Sequence, residues 1–328
     1  MKAEQNILDV SQVKQLCDHI RKEISAHVVG YEQVIDDLLV CLISKGHLFM
    51  IGVPGIAKTT LAKTFAQATG LSWNRIQFTQ DMLPSDILGH YYYNQKTQEF
   101  NLRKGPVFSE LVLADEINRS TPKTQSALIE AMQERQVTIE GTTMHLPHPF
   151  LVLATKNPIE TEGVYPLPEA QLDRFLYSVE MDYLPKDQEL RMLAQKNKTR
   201  EKPQKIIAAE EVKQLIGMHH RVYAEQSILR YIVDIIDETR NHNQLVMGAS
   251  PRAGEHLLYA SKAFALINGR EYVIPDDVRA VAPKVLTHRL ILSTDADLEG
   301  ISRKKIIDDI ISTVAIPDIV ESPALHVP

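Results

Sequence analysis

Apolar residues in the first 45 positions recur at helical spacing. Val13, Leu16, Cys17, Ile20 and Ile24 fall on one face and predict an amphipathic helix over 9–26. Val34, Leu38 and Leu39 predict a second helix, running from just after Gly30 to Ser44. From residue 47 the pattern changes to short apolar runs that end in polar residues: 47–51, 74–78, 110–114, 150–155 and 175–179. Helix-compatible stretches lie between several of them, at 58–69, 122–134 and 168–173. This alternation predicts a parallel sheet with helices on both faces. Leu111, Val112, Leu113 and Ala114 are apolar without alternation, as central strands covered on both sides are. Two segments break the rhythm and read as hairpins, 91–102 and 136–146. Such hairpins either decorate the surface or project into a pore or onto a partner.

After about residue 183 the strand signals stop. Leu184, Pro185 and the polar stretch 195–205 read as a linker, and helices are expected over 209–223, 226–241, 251–268 and 275–289, with a turn at 246–249. Ser250 before Pro251 is a good helix start, with Pro at the first helical position. The predicted organisation is an αβα nucleotide-binding domain over 1–184, a linker and connecting helix over 185–208 and a small all-helical domain over 209–328.

Composition narrows the class. A chain of 328 residues with 44% hydrophobic and 24% charged residues is that of an ordinary globular protein of about two domains. No run of about 18 apolar residues occurs, and the first residues lack a basic segment followed by an apolar one, so neither a membrane span nor a leader is expected. Cys17 and Cys41 have no metal-ligand spacing and sit at apolar helical positions; they are expected to be buried thiols in a reducing, cytoplasmic compartment. The net charge of −6 argues against a general grip on nucleic acid.

The chemistry is concentrated at the ends of the apolar runs. Residues 52–60, GVPGIAKTT, follow a strand and open into a helix, the arrangement that aims backbone N–H groups at phosphate oxygens. Gly52, Gly55, Lys58 and Thr59 match the phosphate-loop pattern, while Ala57 replaces its second-last Gly. Ala57 is therefore expected to keep a negative φ. Asp115 and Glu116 close another apolar strand. Asp115 suits a Mg²⁺ site and Glu116 can polarise a water, although an acidic pair also suits a helix start. Asn157, at the exit of the run 150–155, can orient that water or a γ-phosphate, or simply start a turn. Arg174 stands between a helix and the last strand. Arg252 lies in a first helical turn, where a cation is disfavoured unless an anion is near.

Together these segments resemble the AAA+ ATPases, and more narrowly the MoxR family, over roughly residues 10–290. The resemblance is carried by GVPGIAKTT, LADEINR (113–119), GPVF (105–108), LPEAQLDRF (167–175) and GASPRA (248–253). It implies a P-loop NTPase α/β fold with hairpin insertions and a helical lid, binding ATP/ADP with Mg²⁺. Val29 and Gly30 would lie near the adenine. Gly52, Val53, Pro54, Gly55, Ile56, Ala57, Lys58, Thr59 and Thr60 would cradle the phosphates. Thr59 and Asp115 would hold the metal and Glu116 would activate water. Asn157 would sense the γ-phosphate, Arg174 would act as a finger on a neighbour's ATP, and Arg252 would be the lid sensor. Lys156 stands where the family usually has Gln, adding a cation beside Asn157. Family members are implicated as chaperone-like, ring-forming machines, often with a partner bearing a von Willebrand factor A domain and sometimes in metal or cofactor insertion.

Three functions fit this fold: an oligomeric remodeller of protein clients, a nucleic-acid motor or loader, and a nucleotide switch without turnover. The second hairpin has no cation at its turn and the first has Lys96 alone, which favours a protein client. A switch that only binds ATP has no need of Glu116.

Overall fold

The computed structural model describes residues 8–197 and 203–317 and divides the chain into two compact units, Met1–Gly217 and Met218–Pro328. Residues 1–7, read above for a leader, and 198–202, within the expected linker stretch, lie outside the described residues, as do 318–328.

The first unit begins with α1 (Val10–Ser25) and α2 (Glu32–Ile43). Asp9 caps α1 by accepting from Gln12 N–H, and the Gln12 side chain returns a bond to the Asp9 N–H. Val13, Cys17, Ile20 and Ile24 are buried along its inner face, and Cys41 is buried in α2. Burial pushes the Cys17 thiol up to about 12, so it stays protonated. Then follow β1 (Leu48–Gly52), α3 (Lys58–Thr69), β2 (Trp73–Gln77), α4 (Pro84–Leu88), β3 (Gly89–Asn94), β4 (Glu99–Lys104), β5 (Leu111–Asp115) and α5 (Pro122–Glu134). The unit continues through β6 (Gln136–Ile139), β7 (Thr142–His145), β8 (Leu151–Lys156), α6 (Glu169–Leu172), β9 (Tyr177–Met181), α7 (Lys186–Lys196) and α8 (Ala209–Leu215).

Five strands form one parallel sheet in the order β2-β5-β8-β1-β9. Phe49, Val112, Ala114, Val152 and Ala154 enter one core with Leu128, Ile129 and Met132 of α5. The alternate residues, among them Leu48, Met50, Leu111, Leu113, Leu151 and Leu153, are also buried, and α2 and α3 pack against the strands. Both faces are thus covered, which is why these strands read as unbroken apolar runs. The register aligns Ile51 with Lys156 and Gln77 with Asp115, so the carboxyl ends of β1, β2, β5 and β8 share one edge.

Both hairpins form, β3 with β4 and β6 with β7. Glu140 and Gly141, both at positive φ, make the two-residue turn of the second. In the first, Tyr91 pairs with Leu102 against the core, and the same face continues outward to Tyr93 opposite Phe100, both exposed, with ring centroids 5.4 Å apart.

The second unit carries α9 (Gln226–Asn241), β10 (Leu245–Met247), α10 (Pro251–Ile267), α11 (Pro275–Leu286), β11 (Ile291–Leu292), α12 (Thr294–Leu298) and α13 (Arg303–Thr313). Tyr231, Ile235, Leu257, Val281 and Ile306 belong to its buried interior. Two expectations are corrected here. Strands do not stop at 183: β10 and β11 pair antiparallel, and β10 takes in Val246 and Met247, half of the expected turn at 246–249. Helix 209–223 is instead α8 followed by a separate 3-10 turn, Met218–Arg221, with Gly217 at φ 85° between them.

Candidate nucleotide-binding site

Residues 53–57 turn the end of β1 into α3. Gly52 has no room for a side chain, since a Cβ there would lie 2.5 Å from Ile56 Cδ1 and 2.7 Å from the Met181 carbonyl oxygen. Gly55 adopts φ 85°. Ala57 overturns the expectation of a negative φ: it caps α3 at φ 67°, ψ 16°, in the left-handed region. The loop needs that backbone turn to present the N–H groups of the first turn of α3, and Ala accepts the steric cost. Its carbonyl starts the helix by accepting from Leu61 N–H at 2.8 Å.

Lys58 is buried, and its Nζ donates to the Gly52 carbonyl at 2.5 Å. Burial pulls its ammonium below the usual lysine range, while Asp115, Glu116 and Glu160 favour the charge. At the end of β5, Asp115 is held on both oxygens. Arg75 of β2 donates from Nη2 and Nε to Oδ2 at 2.7 and 3.0 Å, and Thr155 Oγ1 donates to Oδ1 at 2.6 Å. The same Thr155 oxygen accepts the Glu116 N–H at 2.9 Å.

Glu116 sits at φ 56°, ψ 49°, a turn that lifts its side chain out of the strand direction. One of its oxygens, Oε2, takes both Gln77 Nε2 at 2.6 Å and Arg119 Nη1 at 3.1 Å. Gln77 in turn accepts from Arg75 through Oε1. Asn157 is buried at the exit of β8, with Oδ1 accepting from Ile159 N–H at 3.2 Å and Nδ2 donating to Glu160 Oε1 at 2.9 Å. A continuous chain of polar contacts thus links Asp115, Arg75, Gln77, Glu116, Arg119, Glu160 and Asn157.

Beside the loop lies a cavity of about 320 Å³ lined by Val28, Val29, Tyr31, Pro54, Thr60 and Glu189, among others. That volume falls in the range of small-molecule sites. Gly30 adjoins it at φ 85°, a left-handed backbone that a side chain would strain. Thr59 and Asp115 offer a hydroxyl and a carboxylate, hard oxygen donors of the kind Mg²⁺ takes. Among the described residues no cluster of three His, Cys, Asp or Glu could hold an ion by itself, and a Mg²⁺ bound chiefly through phosphate and water needs none.

The sheet brings together the 52–60 loop, Asp115, Glu116 and Asn157, with Val29 and Gly30 at the adjoining cavity. Arg174 has other partners, Gln133 Oε1 at 2.6 Å and the Ala170 carbonyl at 2.9 Å. Arg252 belongs to the second unit, in the first turn of α10. There the preceding loop is fixed to α9: Ala249 N–H donates to Thr239 Oγ1 at 2.9 Å, and a Cβ on Gly248 would lie 2.5 Å from the Thr239 carbonyl oxygen.

The family of ATPases associated with various cellular activities (AAA) matches residues 47–177, and the AAA lid domain matches 237–310. The chaperone MoxR1 of Mycobacterium tuberculosis is 43% identical over 90% of this chain and 81% of its own length. The chain belongs to the MoxR-type AAA ATPases. Protein YeaC of Bacillus subtilis is a further relative, 45% identical over 90% of this chain and 93% of its own. The crystal structure of a candidate ATPase from Cytophaga hutchinsonii superposes with a TM-score of 0.89 at 41% identity, covering 94% of this chain and 97% of that one.

In this MoxR-type chain, sequence reasoning missed Arg75, Gln77, Arg119 and Glu160. Arg75 and Gln77 had one available signal, since alternate residues at the end of a strand that borders β5 point to the same face of the sheet. Nothing local marks Glu160.

Proposed function

We propose that the chain hydrolyses ATP to ADP and phosphate with Mg²⁺ at the 52–60 loop, and uses the cycle to remodel or activate protein partners in the cytoplasm. The observation that carries the reading is Glu116, a carboxylate held by two donors on one oxygen beside a buried lysine at the mouth of a phosphate loop. Val29, Gly30 and the cavity beside them receive the purine, and the backbone of residues 52–60 wraps the phosphates. Lys58 exchanges the Gly52 carbonyl for phosphate oxygens when the triphosphate arrives. Glu116 accepts a proton as water attacks the γ-phosphorus, and the bond from that phosphorus to the β-phosphate oxygen breaks. Asn157 holds the γ-phosphate or the water in line. Thr59 and Asp115 would hold Mg²⁺, which would supply charge neutralisation on the phosphate oxygens.

Arg174 completes the site of a neighbouring copy, which makes the working form a ring of six, and Arg252 reports nucleotide state to the lid. The exposed aromatic pair on the β3–β4 hairpin supports a protein client, as does the relative named as a chaperone. A protein with a von Willebrand factor A domain is the partner this reading expects.

The test is a pair of variants. Lys58→Ala loses nucleotide binding, because Lys58 acts on the ground state. Glu116→Gln keeps binding and loses turnover by about a hundredfold or more. Hydrolysis by Glu116→Gln at close to the parent rate overturns the assignment.

A further inference from the structure

The most informative unassigned group is Glu160. It is the third carboxylate acting on Lys58, and its side chain is only 23% exposed. Its two oxygens have different partners: Oε1 accepts from Asn157 Nδ2 at 2.9 Å and Oε2 accepts from Arg119 Nε at 2.9 Å. Arg119 carries the link on to Glu116. The orientation of the Asn157 amide is fixed independently, because its Oδ1 must face the Ile159 N–H. The segment carrying Glu160 is also tied down beyond that residue. Tyr165 N–H donates to the Asn118 carbonyl at 2.7 Å, and Gln80 Nε2 donates to the Gly163 carbonyl at 2.9 Å.

We propose that Glu160 holds the place of the γ-phosphate, occupying Asn157 and Arg119 until a triphosphate displaces it, so that this residue sets how sharply the site separates ATP from ADP. The inference rests on the reading of Asn157 as the γ-phosphate sensor. A carboxylate and a terminal phosphate are both anions that compete for the same donors. Like charges at close range in a half-buried site repel, so the triphosphate can settle only as Glu160 gives way. ADP has no γ-phosphate and does not meet this competition. The cost therefore falls on ATP alone. Arg119, 45% exposed, is shared between Glu160 and Glu116 in the meantime, which moderates its pull on Glu116.

Glu160→Gln keeps the shape and an acceptor for Asn157 but removes the charge. It should bind the non-hydrolysable β,γ-imido analogue of ATP roughly three- to tenfold more tightly while leaving ADP affinity unchanged. Turnover should fall at the same time, because Arg119 is left with Glu116 as its one carboxylate. Tighter triphosphate binding with a lower kcat is a pattern that loosened structure does not give, since damage weakens binding and turnover together. Glu160→Asp, which keeps the charge, should move the ratio of the two affinities back toward the parent. In an Asn157→Ala background the effect of Glu160→Gln should shrink to the part carried by Arg119 and the charge of Glu160. An unchanged ratio in Glu160→Gln, or an equal change for both nucleotides, overturns the proposal. If Asn157→Ala leaves the parent's ATP-to-ADP discrimination intact, the sensor reading itself is wrong. Discrimination lost in Asn157→Ala but unmoved in Glu160→Gln overturns the role of Glu160 alone.

Discussion

Ala57 and Glu116 share a backbone conformation that neither side chain favours, at φ 67° and 56°. For an L-residue this region costs about 1–2 kcal/mol. At Glu116 the cost brings a benefit, since the turn at the end of β5 puts the carboxylate within reach of Gln77 and Arg119. At Ala57 the methyl contributes nothing to the backbone geometry the loop needs, and Gly reaches the same φ without strain, at an entropic cost of about 0.5–1 kcal/mol. Ala57→Gly should therefore stabilise the first unit by about 0.5–1 kcal/mol in denaturant titrations without nucleotide. A loss of stability would mean that the methyl makes a packing contact worth more than the strain. The negative φ expected from sequence was a local preference, and the demand of the strand–loop–helix connection outweighed it. The same limit hid Glu160. Its role depends on Arg119 and Asn157, one of them 41 residues away, and no spacing rule spans that distance.

At the scale of elements, the join between β1 and its neighbours depends on one neutral imidazole. His47 is fully buried: Nδ1 accepts the Val152 N–H at 3.0 Å, so the proton is on Nε2, which faces the Met132 carbonyl at 3.3 Å. Burial, helped by Arg135, pulls its pKa from 6.5 down to about 3. Between those values the unfolded chain binds a proton that the folded chain refuses. Stability is then intact above about pH 6.5 and is lost as pH falls toward 3, at about 1.4 kcal/mol per unit. From pH 7 to 5 the first unit should lose about 2 kcal/mol through this group. His47→Gln, neutral at every pH, should show a flatter decline over that interval, and an identical slope would exclude His47 as the cause. The sheet strands and both hairpins were legible because their burial follows chain order and period. The connecting helix α7 was expected only somewhere within 185–208: it buries none of its residues, and Leu190 and Leu193 on it stay exposed, so no apolar stripe marks its bounds. β10 and β11 are three and two residues long, too short for any alternation to register.

For the whole molecule, the decisive residue is Arg174, whose partners are Gln133 and Ala170 rather than Lys58 or Glu116. A guanidinium anchored away from its own phosphate loop is suited to serve another copy. An arginine supplied between subunits is worth about 10³–10⁵ in rate, so a dilute single chain should turn over very slowly and specific activity should climb with concentration. Mixing Arg174→Ala with Lys58→Ala should restore part of the activity that each variant lacks alone. The first keeps its own loop and the second keeps its finger. No rescue in mixtures shown to co-assemble would rule out a shared site.

The order of strands in the sheet also has a consequence in time. β1 bears the phosphate loop, yet its two neighbours are β8 and β9: Leu48 pairs with Leu153 and with Tyr177. On a ribosome adding roughly 5–20 residues per second, an apolar strand with both edges open waits many seconds for either partner to be made. Nascent chains that stop short of β8 cannot assemble the loop against its sheet, so nucleotide cannot rescue them. For that interval the strand of a chaperone-like ATPase is itself an exposed apolar segment of the kind other caretakers bind.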